Sequence, residues 1–213
     1  MDTSKLKPFA QDARRILKAQ VSARLDQVLA EQSAARREQP KAVSELEAEI
    51  AKGDRDQVIE KVAYTWFNRF TALRFMDANG YTRIKVVSPA EGQTRPEILA
   101  EAAAGNIDED APSDVRSKVA GLLDGRTPSR DPQGEAYRLL LVAACNQWHA
   151  TMPFMFEKIA DYTELLMPED LLSADSILAK ARAVMTEEAC QDVEVIGWLY
   201  QFYISEKKDE VFA

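Results

Sequence analysis

The chain has a single histidine, His149, so multi-histidine metal sites and a His-Glu-x-x-His zinc motif are excluded. Its eight glycines never stand as Gly-x-Gly, which removes the dinucleotide-binding fingerprint and the glycine-rich phosphate loops. There are two cysteines, Cys145 and Cys190, far apart and each among apolar neighbours. That usage implies buried free thiols in a reducing cytoplasm, not a disulfide framework. No apolar run approaches the roughly 20 residues that cross a bilayer. The opening residues, MDTSKLKPFAQDARR, are charged where a signal peptide needs an apolar stretch. A cytoplasmic protein without a membrane partner is therefore expected.

A basic excess is also missing. Residues 1–60 hold 11 basic and 11 acidic groups, and residues 61–133 hold 10 of each. Residues 134–213 hold 6 and 14, so the whole net charge of −8 falls in that last stretch. A dedicated nucleic-acid-binding domain shows the opposite balance. Any DNA contact must come from a local patch or from another part of a larger protein. The composition is otherwise that of a packed domain, 46% hydrophobic and 29% charged over 213 residues.

The hydrophobic pattern is helical almost throughout. Leu6, Phe9, Ala13, Ile16, Leu17, Val21, Leu25, Val28 and Leu29 recur every three to four residues and predict one long helix. Pro40 interrupts it, and Val43, Leu46 and Ile50 continue on a second helix that Gly53 stops, the two forming an antiparallel hairpin. Residues 56–79 carry Val58, Ile59, Val62, Ala63, Trp66, Phe67, Phe70, Leu73, Phe75 and Met76. These occupy more than one face, which predicts the central helix of residues 1–110, closed by Asn79-Gly80. Residues 81–88, YTRIKVVS, alternate and form the one credible strand. Short helices are expected over 96–104 and 115–124, separated by the acidic loop NIDEDAPSD. The turn-rich stretch 125–134, GRTPSRDPQG, is the candidate boundary between a bundle at 1–124 and a second helical part at 135–213. That second part should hold a helix over 135–149, helical continuation after Pro153, two short helices around MPEDLLSADSILAKARAV and a long one over 186–212. The fold class is mainly α, a mixed helical bundle with at most one small β element.

Three clusters could carry chemistry. Cys145 and His149, one helical turn apart, could pair thiol with imidazole, but no third group orients them, and packing beside Trp148 accounts for both. Asp192 with Glu206, Lys207 and Lys208 echoes the spacing of metal-dependent nucleases. On one helix these groups would lie about 21 Å apart, too far to share a cation. The third cluster is Trp66-Phe67-Asn68-Arg69 with Arg74 and Asp77. Asn68 and Arg69 amid aromatics need partners. They form either a structural polar network or a DNA- or domain-contact site. A separate basic set, Lys5, Lys7, Arg14, Arg15 and Lys18, stands near the start of the first helix and offers phosphate contacts.

Residues 62–81, VAYTWFNRFTALRFMDANGY, resemble the N-terminal signature of large adenine-specific DNA methyltransferases, and especially the PglX family of type 1 BREX phage defence. Residues 86–99, VVSPAEGQTRPEIL, are similar to the segment that follows that signature. Residues 137–157, YRLLLVAACNQWHATMPFMFE, are similar to a helical block upstream of the catalytic domain. Residues 195–212, VIGWLYQFYISEKKDEVF, look like the helix leading into it, and the opening KLKPFAQDARRILKAQV also fits. The resemblance is collinear over most of the chain.

It implies an enzyme that binds S-adenosylmethionine, flips an adenine from DNA and methylates N6. The motifs for those steps are missing. The glycine-rich turn that cradles S-adenosylmethionine is excluded with Gly-x-Gly. No two of the nine prolines are adjacent, so the Asn/Asp-Pro-Pro-aromatic motif is absent. No catalytic, cofactor-binding or metal residue can be assigned. The expectation is a non-catalytic N-terminal region of such an enzyme, inactive alone and continuing toward a catalytic core not in this chain. Its implied partners are the rest of the methyltransferase, double-stranded DNA through that parent, and other BREX components. Two other readings are a stand-alone helical interaction module and, third, a metal-dependent nuclease.

Overall fold

The computed structural model describes residues 4–153, 156 and 162–212, with side chains described as far as Ser205. Among them the chain forms α1 (Leu6–Leu29), α2 (Ala34–Glu38), α3 (Pro40–Lys52), α4 (Arg55–Ala78), α5 (Glu97–Ala103), α6 (Ser113–Leu123), α7 (Pro132–His149), α8 (Tyr162–Leu165), α9 (Ile177–Val184) and α10 (Glu194–Phe212). The expected mainly helical class is borne out. No helix among the described residues is long and apolar enough to cross a membrane. The expected helical continuation after Pro153 falls largely outside the described residues.

Two compact units divide the chain, and α4 gives its first part to one and its second part to the other. One unit comprises residues 2–68, 159–169 and 197–213. Here α1 buries Leu6, Phe9, Ala13, Leu17, Val21, Leu25 and Val28, the stripe read from the sequence. Pro40 starts α3 instead of merely interrupting the chain, because the first helical position has no use for a backbone N–H. Asp54 caps α4 by accepting from the Gln57 amide. Successive contacts set α4 antiparallel to α1. Arg55 reaches Ser22 and Asp26, Glu60 meets Arg14 and Lys18, and the Phe67 ring lies 6.2 Å from that of Phe9. Trp66 is wholly buried, and its indole N–H donates to the Thr163 carbonyl at 3.0 Å.

The other unit comprises residues 69–158 and 170–196. Its core includes Leu73, Met76, Leu99, Val119, Tyr137, Leu141, Ile177 and Met185. The 125–134 stretch joins α6 to α7, both in this unit. Asp131 caps α7 through the Gly134 amide. Gly80, at φ 67°, lets the chain turn out of α4 in the left-handed conformation, as the Asn79-Gly80 pair predicts.

Residues 81–88 do not form the expected strand. The only β pairing among the described residues is a single antiparallel bridge between Pro89 and Pro96. The backbone instead folds onto side chains. The Asp77 carboxylate accepts from the amides of Val86, Val87 and Ser88 at 2.9, 2.9 and 2.8 Å, and from the Thr82 hydroxyl at 3.0 Å. Carbonyls of the same segment accept from the Tyr137 hydroxyl and the Arg182 guanidinium. With the amides of Val86, Val87 and Ser88 committed to a carboxylate, these residues have no donors left for a sheet partner. The expected helix over 186–212 is also shorter. A single 3-10 turn stands at Ala189–Gln191, and α10 begins at Glu194, whose amide donates to Asp192.

Candidate functional site

The sequence-read basic residues divide by what they touch. Lys5, Lys7 and Arg15 are exposed at the start of α1, Arg15 in a surface ion pair with Asp12. Arg14 and Lys18, one turn apart, converge on Glu60 of α4. Arg14 makes a two-pronged contact at 2.9 Å per bond and Lys18 approaches to 2.9 Å. Arg14 is only 3% exposed. Burial pushes the Glu60 carboxyl up, but hydrogen bonds from Arg14 and Lys18 outweigh it and hold it below the ordinary range. The fork of a guanidinium on a carboxylate is geometrically specific.

This triad floors a cleft of about 990 Å³ walled by α1, the α3–α4 turn, α4 and α10. Its aromatic wall is Tyr64, Tyr200 and Tyr203, with ring centroids 5.9 Å apart for Tyr64–Tyr200 and 5.5 Å for Tyr64–Tyr203. Around it stand four basic groups, Arg14, Lys18, Lys52 and Lys61, and four acidic ones, Glu49, Asp54, Asp56 and Glu60. Lys52 pairs with Glu49, and Lys61 donates to the Tyr162 hydroxyl. The balance gives the cleft no cationic field with which to collect phosphates.

Of the Trp-Phe-Asn-Arg cluster, Asn68 is half-buried and Arg69 is buried on α4, and Arg74 is buried farther along that helix. Arg74 is spent internally, donating to the Met185 carbonyl at 2.8 Å and the Ser88 hydroxyl at 2.9 Å. Sequence reasoning named Asp77 only as a neighbour of this cluster. The structure makes it the hub of the 82–88 segment. The phenol of Tyr137 is pushed well above its ordinary range, first by burial and then by the Asp77 charge, so it stays protonated and donates. Asp77 followed three residues on by a turn glycine and then a β-rich run was the available signal. Helical periodicity does not register it.

Cys145 and His149 do not make a nucleophile. Burial pushes the Cys145 thiol up to about 12, with Arg69 opposing only in part, and a thiol is unreactive until it ionises. The imidazole is engaged elsewhere, its Nδ1–H donating to the Phe156 carbonyl at 2.7 Å. The side chains of Glu206, Lys207 and Lys208 lie outside the described residues. Among the described residues no three His, Cys, Asp or Glu side chains gather closely enough to hold a metal ion.

No protein-family model matches the chain. Two curated relatives do. An adenine-specific methyltransferase BrxX from Escherichia coli O9:H4 (strain HS) is 41% identical over 161 residues. An adenine-specific methyltransferase PglX from Lacticaseibacillus casei (strain Zhang) is 35% identical over 165 residues. Each match covers 73% of this chain but only 13% of the relative's length. Most of this chain is therefore homologous to one part of the adenine-specific methyltransferases of the PglX and BrxX kind, and the PglX-like resemblance read from its sequence stands.

Proposed function

We propose that the chain is a non-catalytic, N-terminal helical region of an S-adenosylmethionine-dependent adenine-N6 DNA methyltransferase of BREX phage defence, and that it scaffolds the catalytic core. The observation that carries this is the 41% identity to BrxX over 161 residues. It is supported by the pairing of Arg14 and Lys18 with Glu60 and of Asp77 with backbone amides, which commits these polar groups to the fold. The residues present do not fit the cofactor. The glycines with left-handed φ, Gly80, Gly92, Gly105 and Gly125, stand in separate turns, and none belongs to a Gly-x-Gly cradle. Cofactor binding, adenine flipping and methyl transfer belong to the rest of the enzyme, and no step is assigned here. The place of action is the cytoplasm, with double-stranded DNA and other BREX components met through the assembled enzyme.

Where this region itself touches DNA, the exposed Lys5, Lys7 and Arg15 are the contacts. Arg14, Lys18 and Arg74 serve the fold, and Asn68 and Arg69 brace α4. Calorimetry of the purified chain against S-adenosylmethionine tests the reading, and no binding heat is expected. Saturable binding would overturn the non-catalytic assignment. Affinity for duplex DNA should be weak and fall steeply with added salt, since only a few phosphates could be contacted. Tight, salt-insensitive binding would contradict the assignment of contacts.

A further inference from the structure

The C-terminal end of α4 is fixed by a small set of bonds around Asn79 and Gly80. The Gly80 amide donates to the Asp77 carbonyl at 3.2 Å, and the Tyr81 amide donates to the Met76 carbonyl at 2.9 Å. That pair of bonds needs a residue of positive φ at the exit of the helix, and Gly80 at φ 67° supplies it. Asn79 closes the end from the side. Its backbone amide donates to the Phe75 carbonyl at 3.1 Å. Its carboxamide nitrogen donates to the Phe75 carbonyl and to the Cys190 carbonyl, both at 2.9 Å. One side-chain hydrogen is thus spent on α4 itself and the other on the 3-10 turn at Ala189–Gln191.

A glycine placed directly after an asparagine brings a chemistry of its own. The Cγ of an asparagine can be attacked by the backbone nitrogen of the next residue. A side chain on that residue crowds the approach, and glycine has none. The asparagines of this chain, Asn68, Asn79, Asn106 and Asn146, are followed by Arg69, Gly80, Ile107 and Gln147. Only Asn79 has an unhindered attacker. In the closed end of α4 the attack is held off from both sides. The Gly80 N–H is engaged by Asp77, and the carboxamide is pinned between two carbonyls. Asn79 is half-buried but Gly80 is exposed, and an exposed helix end opens at low cost. Opening releases attacker and target together.

We propose that Asn79 is a covalent modification site, which deamidates through a succinimide when the end of α4 opens and whose product cannot close that end again. The Gly80 nitrogen bonds to the Asn79 Cγ, the Cγ–Nδ2 bond breaks, and ammonia leaves with the proton of the Gly80 amide. Water then opens the ring. Addition at Cγ keeps the ordinary peptide bond and leaves an aspartyl residue. Addition at the main-chain carbonyl leaves an isoaspartyl linkage, with one more carbon in the backbone. Water is the only co-reactant, and nothing is oxidised or reduced. Either product has a carboxylate, which accepts and cannot donate, where the native side chain donated to two carbonyls. A transient opening thus becomes permanent, two residues from the Asp77 that holds Val86, Val87 and Ser88.

The test incubates the whole chain folded and in guanidinium chloride, in one mildly alkaline buffer, and follows its peptides by mass spectrometry. Unfolded, Asn79 should convert first of the four asparagines, and Gly80→Ala should slow it to the pace of the others. Folded, Asn79 should still be the first to convert, but at least about tenfold more slowly, as expected when a helix end must open. Asn79→Asp should melt below the wild type, and its Gly80 and Tyr81 amides should exchange at least about tenfold faster, as for a helix end left open. Earlier conversion of another asparagine, or a rate at Asn79 indifferent to Gly80→Ala, overturns the proposal. So does a folded chain that converts as fast as the unfolded one, or never. Wild-type melting and exchange in Asn79→Asp would show that the product fits the native end, and would overturn it too.

Discussion

Replacing Asp77 by asparagine preserves the outline of the side chain and removes half of its accepting capacity. In the native unit both oxygens are in use. One takes the Val86 amide and the Thr82 hydroxyl, and the other takes the Val87 and Ser88 amides, with Asp77 itself 2% exposed. The asparagine oxygen can keep one of these pairs. Its NH₂ then faces two N–H or O–H donors, and at least one backbone amide in a buried segment is left without an acceptor. A stranded buried donor costs about 1–3 kcal/mol. With two affected, Asp77→Asn should cost roughly 2–4 kcal/mol, less whatever is recovered by not burying a charge. For a protein of this size that is a drop in melting temperature of roughly 5–15 °C. The assay is urea unfolding followed by circular dichroism, with Thr82→Ala as the control, because it removes one donor and strands none. Thr82→Ala should lose about 1 kcal/mol or less. If Asp77→Asn were as stable as the control, the carboxylate would not be what holds residues 82–88, and the account of why they form no strand would fail.

Trp66→Ala should cost about 3–5 kcal/mol in the same assay, enough to leave a poorly folded chain; a fully stable variant would mean that α4 is not the core of its unit. Glu60 has a folded pKa held below its ordinary value of 4.5, so its contribution is complete above that value and is lost as pH falls through the depressed one. The stability gap between wild type and Glu60→Gln should therefore be wide at pH 7 and close progressively in acid; a gap independent of pH refutes the ion-paired triad. Cys145, with its thiol at about 12, should resist iodoacetamide in the folded chain at neutral pH and react once urea unfolds it, as mass spectrometry of the labelled peptide would show. Rapid alkylation of the native thiol would revive the Cys145–His149 pair.

The two long helices were legible because their signal is local and repeated. The stripe from Leu6 to Leu29 gives α1 its observed span, and the crowd of aromatics around Trp66 marks α4 to within a residue at each end. Residues 81–88 defeated the same method for a physical reason. Alternation reports which side chains could share a face, but a strand also needs a partner for its backbone. Here three successive amides end on a carboxylate 9–11 residues earlier. Val86 and Val87 are both buried, as adjacent residues of a half-exposed strand would not be. The late start of α10 has a cause that was readable, since Asp192 stands two residues ahead of the amide it accepts from. The apolar run after it, from Val193 onward, outweighed that cue.

The candidate contacts show the complementary limit. Arg14 and Lys18 share a helix face at a spacing any reader of sequence can see, and so they look like a phosphate-binding patch. What decides their role is Glu60, 46 residues from Arg14 and brought beside it only because α4 runs antiparallel to α1. A basic cluster is thus a statement about cations, whereas affinity for DNA depends on cations that are not already neutralised. The same reasoning separates Arg74, buried against Met185 and Ser88, from Lys5 and Lys7, which no carboxylate could be seen to claim from the sequence and which the fold leaves in solvent. The homology carries its own version of this limit. It assigns the region to a kind of enzyme without assigning it any of that enzyme's chemistry, because the residues conspicuous in its sequence are largely those that fold it. Trp66 and Arg74 are anchored by carbonyls from distant parts of the chain, and Asp77 holds the backbone that follows α4. A segment can therefore belong with such enzymes by homology while the residues most conspicuous in its sequence serve its own fold.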